Sequence, residues 1–268
     1  MAKRYLSNEA VLQFCACPYR YYLSTIKRTY PDPNDDRTWQ LIATSAREAF
    51  YAHEREELSM NVTGPDRVAE AYDALTDVAV AHAISRASRH LDHIDYEAVE
   101  SRVTHELSRE RMVHERACRE CIQRSGACGD ELAHIVAHPP EMVARRIVDY
   151  RHRIVGTVSL IARLPHGPVP IQFIPWMLPT SRQEELLTMA LKTNALLVSF
   201  ELGEYVPLSA AYLTACDRSF YVPIDEGTKE QVKSFRSMIA ECSQFSPNTS
   251  SCDTCHYIST CEYHDNGN

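Results

Sequence analysis

FCACPYRYYL at residues 14–23 and CDTCHYISTC at residues 252–261 lie near opposite ends of this 268-residue chain. Cys252, Cys255 and Cys261 have the spacing C-x2-C-x5-C, which lets three sulfurs converge from one short loop. Cys17, directly before Pro18, is placed to supply a fourth thiolate from the other end of the chain. Four cysteines form the ligand set that an iron-sulfur cluster needs. The sequence therefore predicts a metal site that joins the two ends.

Zinc is the alternative occupant of these thiolates, because structural zinc sites also use four cysteines and C-x2-C spacing. A 4Fe-4S cluster is the leading prediction, since ligation by thiolates alone, split between the termini, fits cluster binding. Disulfide pairing of the 10 cysteines is disfavoured, because the chain opens MAKRYLSNEA without an apolar signal segment. A reducing cytoplasm is the expected compartment.

The composition is that of a globular protein, with 44% hydrophobic and 24% charged residues. No apolar run approaches the roughly 18 residues that a membrane span requires, so no membrane association is expected. The formal net charge of -8 gives no overall attraction to nucleic acid, whose binding depends on neutralising phosphates. Any DNA-binding surface must then be local. One cationic stretch of the chain is the candidate for it, and the alternative interpretation of this stretch is a solvated strand edge. The candidate residues are Arg145, Arg146, Arg151 and Arg153.

Hydrophobic periodicity predicts helices, then strands, a helix, strands and a last helix. Residues 64–135 are rich in Ala, Glu, Arg and His and lack clusters of β-branched residues, which indicates a helical insertion. β-Branched residues on both sides of the turn at 166–168 indicate strands. The predicted helices cover residues 8–26 with a break at Pro18, 37–58, 65–90, 96–124, 181–202 and 226–245, and the predicted strands cover 141–149, 152–164, 169–173, 208–216 and 219–224.

Both cysteine segments resemble those of the iron-sulfur branch of the PD-(D/E)XK nuclease superfamily, which includes RecB-like nucleases and CRISPR-associated exonucleases. The resemblance implies that Cys17 is the first ligand and that its neighbour Cys15 is not one. It also implies one α/β domain over residues 1–268, with a mixed sheet flanked by helices, the insertion at 64–135, and the segment 247–263 packing on residues 15–18. The N-terminal motif of that branch is matched by Leu6-Ser7, Cys17-Pro18 and Tyr21-Tyr22-Leu23.

Active nucleases of this superfamily use a helix histidine, a strand aspartate, and a glutamate and a lysine on the next strand. Matching their motifs to this chain places Arg47, Ser159, Gln172 and Ile174 at those positions. Serine and glutamine carry no negative charge, so they cannot offset the dehydration of Mg²⁺ or Mn²⁺ as two carboxylates do. The resemblance therefore implies a retained fold with a dismantled hydrolytic site and no catalytic metal.

The leading functional hypothesis is a cluster-containing, nuclease-inactive protein that binds DNA or serves as an assembly subunit in DNA repair, recombination or CRISPR-related processing. A helicase or a CRISPR adaptation component is the kind of protein partner that the resemblance implies. One alternative is an active metal-dependent DNA exonuclease of the same family. Another is a protein-interaction scaffold without nucleic acid, for which the acidic net charge is the motivating feature.

A second group of cysteines lies within the helical insertion. Cys118, Cys121 and Cys128, flanked by His114 and His134, have a spacing that zinc accepts. The same cysteines also fit one face of a helix, where free cysteine packs as a small apolar residue. Both interpretations stay open at the level of the sequence.

Overall fold

The computed structural model describes residues 6–28, 36–89, 95–136, 140–174, 181–213, 216, 218–249, 252, 255, 257 and 260–263. Internal contacts divide the chain into two compact units, one formed by Met1–Asp32 and Glu141–Asn268 and the other by Pro33–Pro140. The predicted insertion, residues 64–135, falls within the second unit, which also includes the long helix before it.

The described elements follow the predicted order of helices and strands. In chain order they are β1 (Leu6–Ser7), α1 (Asn8–Ala16), α2 (Pro18–Tyr21), a π-helical segment (Tyr22–Lys27), α3 (Asp36–Asn61), a 3₁₀ turn (Pro65–Arg67), α4 (Val68–Ala87), α5 (Tyr96–Ser125), α6 (Gly129–Val136), β2 (Met142–Asp149), β3 (Ile154–Leu164), β4 (Gly167–Ile174), α7 (Ser181–Leu202), β5 (Leu208–Leu213), β6 (Arg218–Pro223) and α8 (Thr228–Glu241).

The first unit is built on one mixed sheet. β3 pairs with antiparallel β2 along one edge, and along the other edge it pairs first with parallel β1 and then with antiparallel β4. β4 runs parallel to β5, and β6 closes the sheet antiparallel to β5. Parallel neighbours need a crossover connection, which α7 provides between β4 and β5. The predicted α/β class, a mixed sheet flanked by helices, is confirmed.

Helix α7 packs against the sheet through a face of apolar side chains. Leu187 and Leu191 join a core with α1, α8 and the strands β4 to β6. One to two turns later, Leu197 and Val198 pack on side chains of β2 and β3. These four side chains have no exposed surface, and burying each one contributes about 1.5–3 kcal/mol relative to leaving it in water. The two cores therefore share α7 as their common helix.

Gly156 lets α1 approach the start of β3. A Cβ atom built on this residue would lie 2.6 Å from the Cβ of Asn8 and 3.0 Å from Cδ1 of Leu197. The first distance is too short for two carbon atoms, so a larger residue here would push α1 away from the strand. Gly156 thus has a packing role that is independent of any chemistry.

The second unit consists of α3 to α6 around its own core. Ala71, Ala79 and Ala83 of α4 are fully or almost fully buried in that core, and their small side chains let neighbouring helices approach closely. Val99, Val103 and Leu107 repeat every four residues along α5 and face the same core. The repeat places one narrow apolar face of the 30-residue helix α5 in the core, and the buried residues of the helix are Val99, Val103, Leu107, Cys118 and Ile122.

Three features lie outside the sequence prediction: the two-residue strand β1, the π-helical segment and the separate helix α6. The last helix also ends at Glu241, four residues before its predicted end at 245. In the part of the chain that the structure describes, no helix combines the length and apolar character needed to cross a membrane.

Candidate metal centre

The four predicted cysteine ligands line a single cavity, which we call the clasp cavity. Cys17 comes from the N-terminal segment, and Cys252, Cys255 and Cys261 come from the C-terminal segment. Leu23 and Tyr257 also line the cavity, and both side chains are almost fully buried. The fold of the first unit therefore brings together thiols from the two ends of the chain.

A helix break places Cys17 at the cavity. Helix α1 begins at an N-cap serine, since Oγ of Ser7 accepts a hydrogen bond from the backbone N–H of Ala10 at 3.1 Å. The helix ends at Ala16 because Cys17 is extended, with φ -160° and ψ 117°, as a residue before proline prefers to be. Pro18 then occupies the first position of α2, where its missing N–H has no partner to lose.

Asn248 ties the C-terminal segment to this break. Its backbone N–H donates to Sγ of Cys17 at 3.2 Å, and its side-chain amide donates to the carbonyl of Ala16 at 2.8 Å. A hydrogen bond from a backbone N–H to a cysteine sulfur stabilises the thiolate form that binds metals and tunes clusters. Asn248 thus fixes the sulfur of Cys17 beside the C-terminal segment.

Aromatic side chains hold the two ends together around the cavity. The rings of Tyr19 and Tyr263 meet edge to face with centroids 4.7 Å apart, and those of Tyr22 and Phe245 stack at 5.4 Å. Each such pair contributes about 0.5–1.5 kcal/mol beyond the burial of its area. The hydroxyl of Tyr19 also donates to the carboxylate of Glu262.

The thiol of Cys255 is held in an environment that is costly for an isolated thiolate. Burial raises the pKa of Cys255 above its ordinary value, and the neighbouring Cys17 and Cys261 raise it further, whereas a backbone hydrogen bond at Tyr257 and the charge of Arg20 oppose the rise. A metal that binds here must therefore displace a proton, which makes its affinity depend on pH.

Cys15 is close to Cys17 in sequence but does not line the clasp cavity as the structure describes it. Its side chain lies on α1, 1% exposed, in the core with Phe14 and Tyr21. Burial raises the pKa of the Cys15 thiol well above its ordinary value. Cys15 is therefore packed as an apolar residue.

The donor set of the clasp cavity fits an iron-sulfur cluster. The set consists of thiols alone, with an N–H···S hydrogen bond and largely apolar walls, and these features hold and tune such clusters. Among the described residues, no three His, Cys, Asp or Glu side chains stand as close together as a single metal ion requires. A cluster is a larger object, in which separate iron atoms bind the separate cysteines.

The predicted catalytic positions on the sheet are joined by a chain of neutral side chains. The amide Nε2 of Gln172 on β4 donates to Oγ of Ser159 on β3 at 2.9 Å. Oε1 of Gln172 accepts from Nδ2 of Asn194 on α7 at 3.2 Å, and Oδ1 of Asn194 accepts from Nδ2 of Asn8 on α1 at 2.5 Å. We call these four residues the amide network. These hydrogen bonds link the four side chains without a cation, and Oδ1 of Asn8 is buried with no hydrogen-bond partner among the described residues.

Ile174 occupies the position of the lysine. Its side chain is 1% exposed and packs in the apolar core with Leu187 and Leu191 of α7. Introducing a lysine here would place an ammonium group in a hydrocarbon environment. Ile174 is therefore part of the apolar core of the first unit.

Gln172→Glu is expected to destabilise the protein by about 1–3 kcal/mol at neutral pH, because a carboxylate in the amide network has no cation to offset its lost hydration. The folded-state pKa of the new carboxyl would be raised, so the loss should grow as pH rises above the unfolded value near 4.5. Chemical denaturation at pH 5 and pH 8 measures it. Stabilisation of this variant by Mg²⁺ or Mn²⁺, with no such effect on wild type, would contradict a dismantled site.

Arg47, at the position of the helix histidine, belongs to the second unit and holds two carboxylates there. Its Nε donates to Oε1 of Glu110 at 3.0 Å and its Nη2 donates to Oε2 of Glu106 at 3.1 Å. Arg47 is 4% exposed, so this is a buried ion triad. Burial raises the pKa of Glu110 even though Arg47 lowers it. Arg47 therefore has a structural role inside the helices.

Cys118, Cys121 and Cys128 are not gathered into a metal site in the described part of the chain. Cys118 is fully buried in the helical core, Cys121 packs at its margin, and Cys128 is exposed between α5 and α6. The flanking histidines have other partners, since His114 is 2.7 Å from Oε1 of Glu54 and His134 is 2.6 Å from Arg55. Cys118 and Cys121 agree with the helical-stripe interpretation, whereas Cys128 does not, because it is exposed and follows the end of α5 at Ser125.

The four candidate DNA-binding arginines lie on β2 and on the turn that follows it, and all are exposed. β2 is an edge strand, so Arg145 and Arg146 point to opposite faces of the sheet. Arg145 also pairs with Glu201 at 3.1 Å, which offsets part of its charge. The backbone carbonyl of Arg153 accepts from Nη2 of Arg236 at 2.7 Å, which fixes the turn.

Two members of the amide network, Asn8 and Asn194, were not among the predicted site residues. Both are fully buried, and a buried asparagine needs partners that a sequence pattern does not show. The signal available in the sequence was a polar residue on the apolar face of each helix. No protein-family model matches the chain, and no curated protein matches it either.

Proposed function

We propose that this chain is a nuclease-inactive protein of the iron-sulfur branch of the PD-(D/E)XK superfamily, in which a 4Fe-4S cluster is structural. It acts as a DNA-binding or assembly subunit in DNA repair, recombination or CRISPR-related processing, in the cytoplasm. The observation that carries the proposal is the clasp cavity, because four cysteines from opposite ends of the chain line it.

The sheet supports the assignment of the family. The resemblance implies helices, a run of strands with the two metal-binding positions on neighbours, a helix and further strands. In this chain β3 and β4 are neighbours, and Ser159 and Gln172 touch across them. α7 then crosses to β5. The two positions that the motif comparison selected are therefore adjacent in space, as the shared chemistry of a metal site would require.

The amide network supports the loss of hydrolysis. Two carboxylates are the usual ligands of Mg²⁺ in such a site, and neutral serine and glutamine oxygens offer no charge to replace its hydration shell. The buried Ile174 offers no proton-transferring group. These substitutions also favour the binding protein over the active exonuclease.

When bound, the cluster would supply a cross-link between the ends of the chain. Cys17, Cys252, Cys255 and Cys261 would hold it. Closing a loop of almost the whole chain restricts the unfolded ensemble, and the free energy of metal binding then becomes free energy of folding.

The test is anaerobic purification followed by a visible spectrum, analysis of iron, sulfide and zinc, and a cleavage assay on linear single- and double-stranded DNA with Mg²⁺ or Mn²⁺. We expect about four iron and four sulfide per chain and no cleavage. A colourless protein with stoichiometric zinc contradicts the cluster. Cleavage that persists through further purification and disappears on mutating Glu141 or Asp149 contradicts the inactive site.

DNA binding measured against salt concentration separates the binding protein from a scaffold without nucleic acid. The affinity should fall linearly on logarithmic axes, with a slope set by the number of phosphates contacted. Replacing Arg146 and Arg151 with glutamine should reduce that slope if the exposed arginines carry the contact. Unchanged mobility of every DNA form at low salt would favour the scaffold.

A further inference from the structure

Arg20 places a positive charge at the clasp cavity. It follows Cys17 by three residues, lies in α2 and is 7% exposed. It lines the same cavity as the four cysteines, and among the described lining residues it alone has a permanently charged side chain. Arginine is always protonated in proteins, so this charge is fixed.

Burying a guanidinium is costly unless the fold supplies negative charge or hydrogen bonds. Thiolates at the four cysteines that line the cavity would supply negative charge beside Arg20. An arginine is therefore held where thiolates would gather.

Four thiolates with a 4Fe-4S core carry a net negative charge, and one-electron reduction adds to it. A nearby cation favours the more negative state, so it raises the reduction potential, for which net charge and solvent exposure are recognised determinants. The restricted solvent access of Arg20 makes the interaction stronger than it would be at the surface.

We propose that Arg20 is the fixed counter-charge of the cluster, holding its reduction potential up and retaining it in the protein. This inference rests on the proposed function, since it requires a cluster at the four cysteines. Arg20 acts here as a positioning residue through its charge and is not a ligand.

The test uses the whole protein, purified anaerobically, as wild type, Arg20→Gln and Arg20→Lys. The control is Arg28→Gln, which removes the same charge from an exposed residue of the same segment that does not line the cavity as described. Iron and sulfide are measured first. The potential is then followed in a redox titration by the electron paramagnetic resonance signal of the reduced cluster.

We expect Arg20→Gln to lower the reduction potential of the cluster by at least about 59 mV. For one electron this corresponds to a tenfold change in the ratio of oxidised to reduced cluster at a given potential. Arg20→Lys should stay close to wild type because it keeps the charge, and Arg28→Gln should not shift. If the cluster resists reduction, its rate of loss to a chelator is the readout, and Arg20→Gln should lose it several times faster.

Loss of the cluster from Arg20→Gln, with retention in Arg20→Lys, also supports the counter-charge. Equal behaviour of Arg20→Gln and wild type overturns the role of Arg20 and leaves the cluster assignment intact. Equal damage in Arg20→Gln and Arg20→Lys shows that shape rather than charge matters, which also overturns it. A wild-type protein that lacks iron overturns the proposed function itself.

Discussion

Replacing Cys255 with serine is expected to yield a colourless protein that is insoluble or rapidly degraded by protease. Cys255 lines the clasp cavity, and a serine hydroxyl does not replace a thiolate as a ligand of iron. The C-terminal segment meets Cys17 of the N-terminal segment at this cavity. Its described residues form turns, closed by Cys255 N–H to Cys252 O at 2.9 Å and Thr260 N–H to Tyr257 O at 3.0 Å.

Two matched variants separate ligation from general damage. Cys216→Ser makes the same chemical change at an exposed cysteine, and it should keep both colour and protease resistance. Cys15→Ala removes a buried sulfur beside the ligand, and it should keep its iron while losing about 1 kcal/mol of packing energy. The measurements are iron and sulfide per chain, visible absorbance, and the rate of limited proteolysis.

The assignment would be reversed if Cys15→Ala lost the iron while Cys17→Ala kept it. It would fail altogether if Cys255→Ser kept the iron content and protease resistance of wild type. Zinc in place of iron in the wild type would leave the clasp in place with a different occupant, since the same four cysteines suit both metals.

The order of elements was predictable because most of them are long and strongly patterned. The alternation along β3 and the four-residue repeat along α5 are local signals that a sequence shows directly. β1 has two residues, Leu6 and Ser7, too few to form a pattern. Its strand character comes from pairing with Ile154 and Val155, which lie far away in the chain.

The π-helical segment has a similar cause. Residues 22–27 follow α2 without a turn signal, and the predicted helix simply continued through them. The segment ends at Arg28, which adopts a left-handed conformation with φ 56° although it is not a glycine or asparagine. Neither feature follows from propensity, because π-helical turns are rare and a residue other than glycine seldom adopts a positive φ.

Some residues of the candidate site were likewise predictable from the sequence, and others were not. The cysteines were found because metal ligation imposes a spacing, and the sheet positions were found because a motif could be matched to adjacent strands. Asn8 and Asn194 were not, because a hydrogen bond across 186 residues leaves no mark on spacing. The motif comparison selected Arg47 as a substituted catalytic position, and its contacts in a buried ion triad could not be predicted from that motif.

That triad gives the second large expected effect. Arg47→Ala should destabilise the second unit by about 3–5 kcal/mol, because removing one partner leaves buried charge without compensation. Arg47 contacts both Glu106 and Glu110, and Oε2 of Glu110 has no hydrogen-bond partner among the described residues even with the arginine present. A loss of this size would be a large fraction of the stability of a typical domain.

The effect should depend on pH. Burial already raises the pKa of Glu110, and Arg47 is the largest influence that lowers it. Without the arginine the folded-state pKa rises further, so the native state of the variant favours the protonated acid. A raised carboxyl pKa contributes stability at low pH that is lost as pH rises above the unfolded value of about 4.5. The difference from wild type should therefore be smaller at pH 5 than at pH 8.

Trp39 offers a local probe of this unit, because it lies on α3 with the guanidinium of Arg102 4.4 Å above its ring. Denaturant titrations in a Trp176→Phe background would follow Trp39 alone, since the chain has 2 tryptophans. Arg116→Ala is the matched control, as its salt bridge to Glu120 is exposed and should contribute less than about 1 kcal/mol. Equal, pH-independent losses for Arg47→Ala and Arg116→Ala would show that the triad carries no buried charge. A loss confined to Arg47→Ala and growing with pH would establish that the buried charge of Arg47 stabilises the helices.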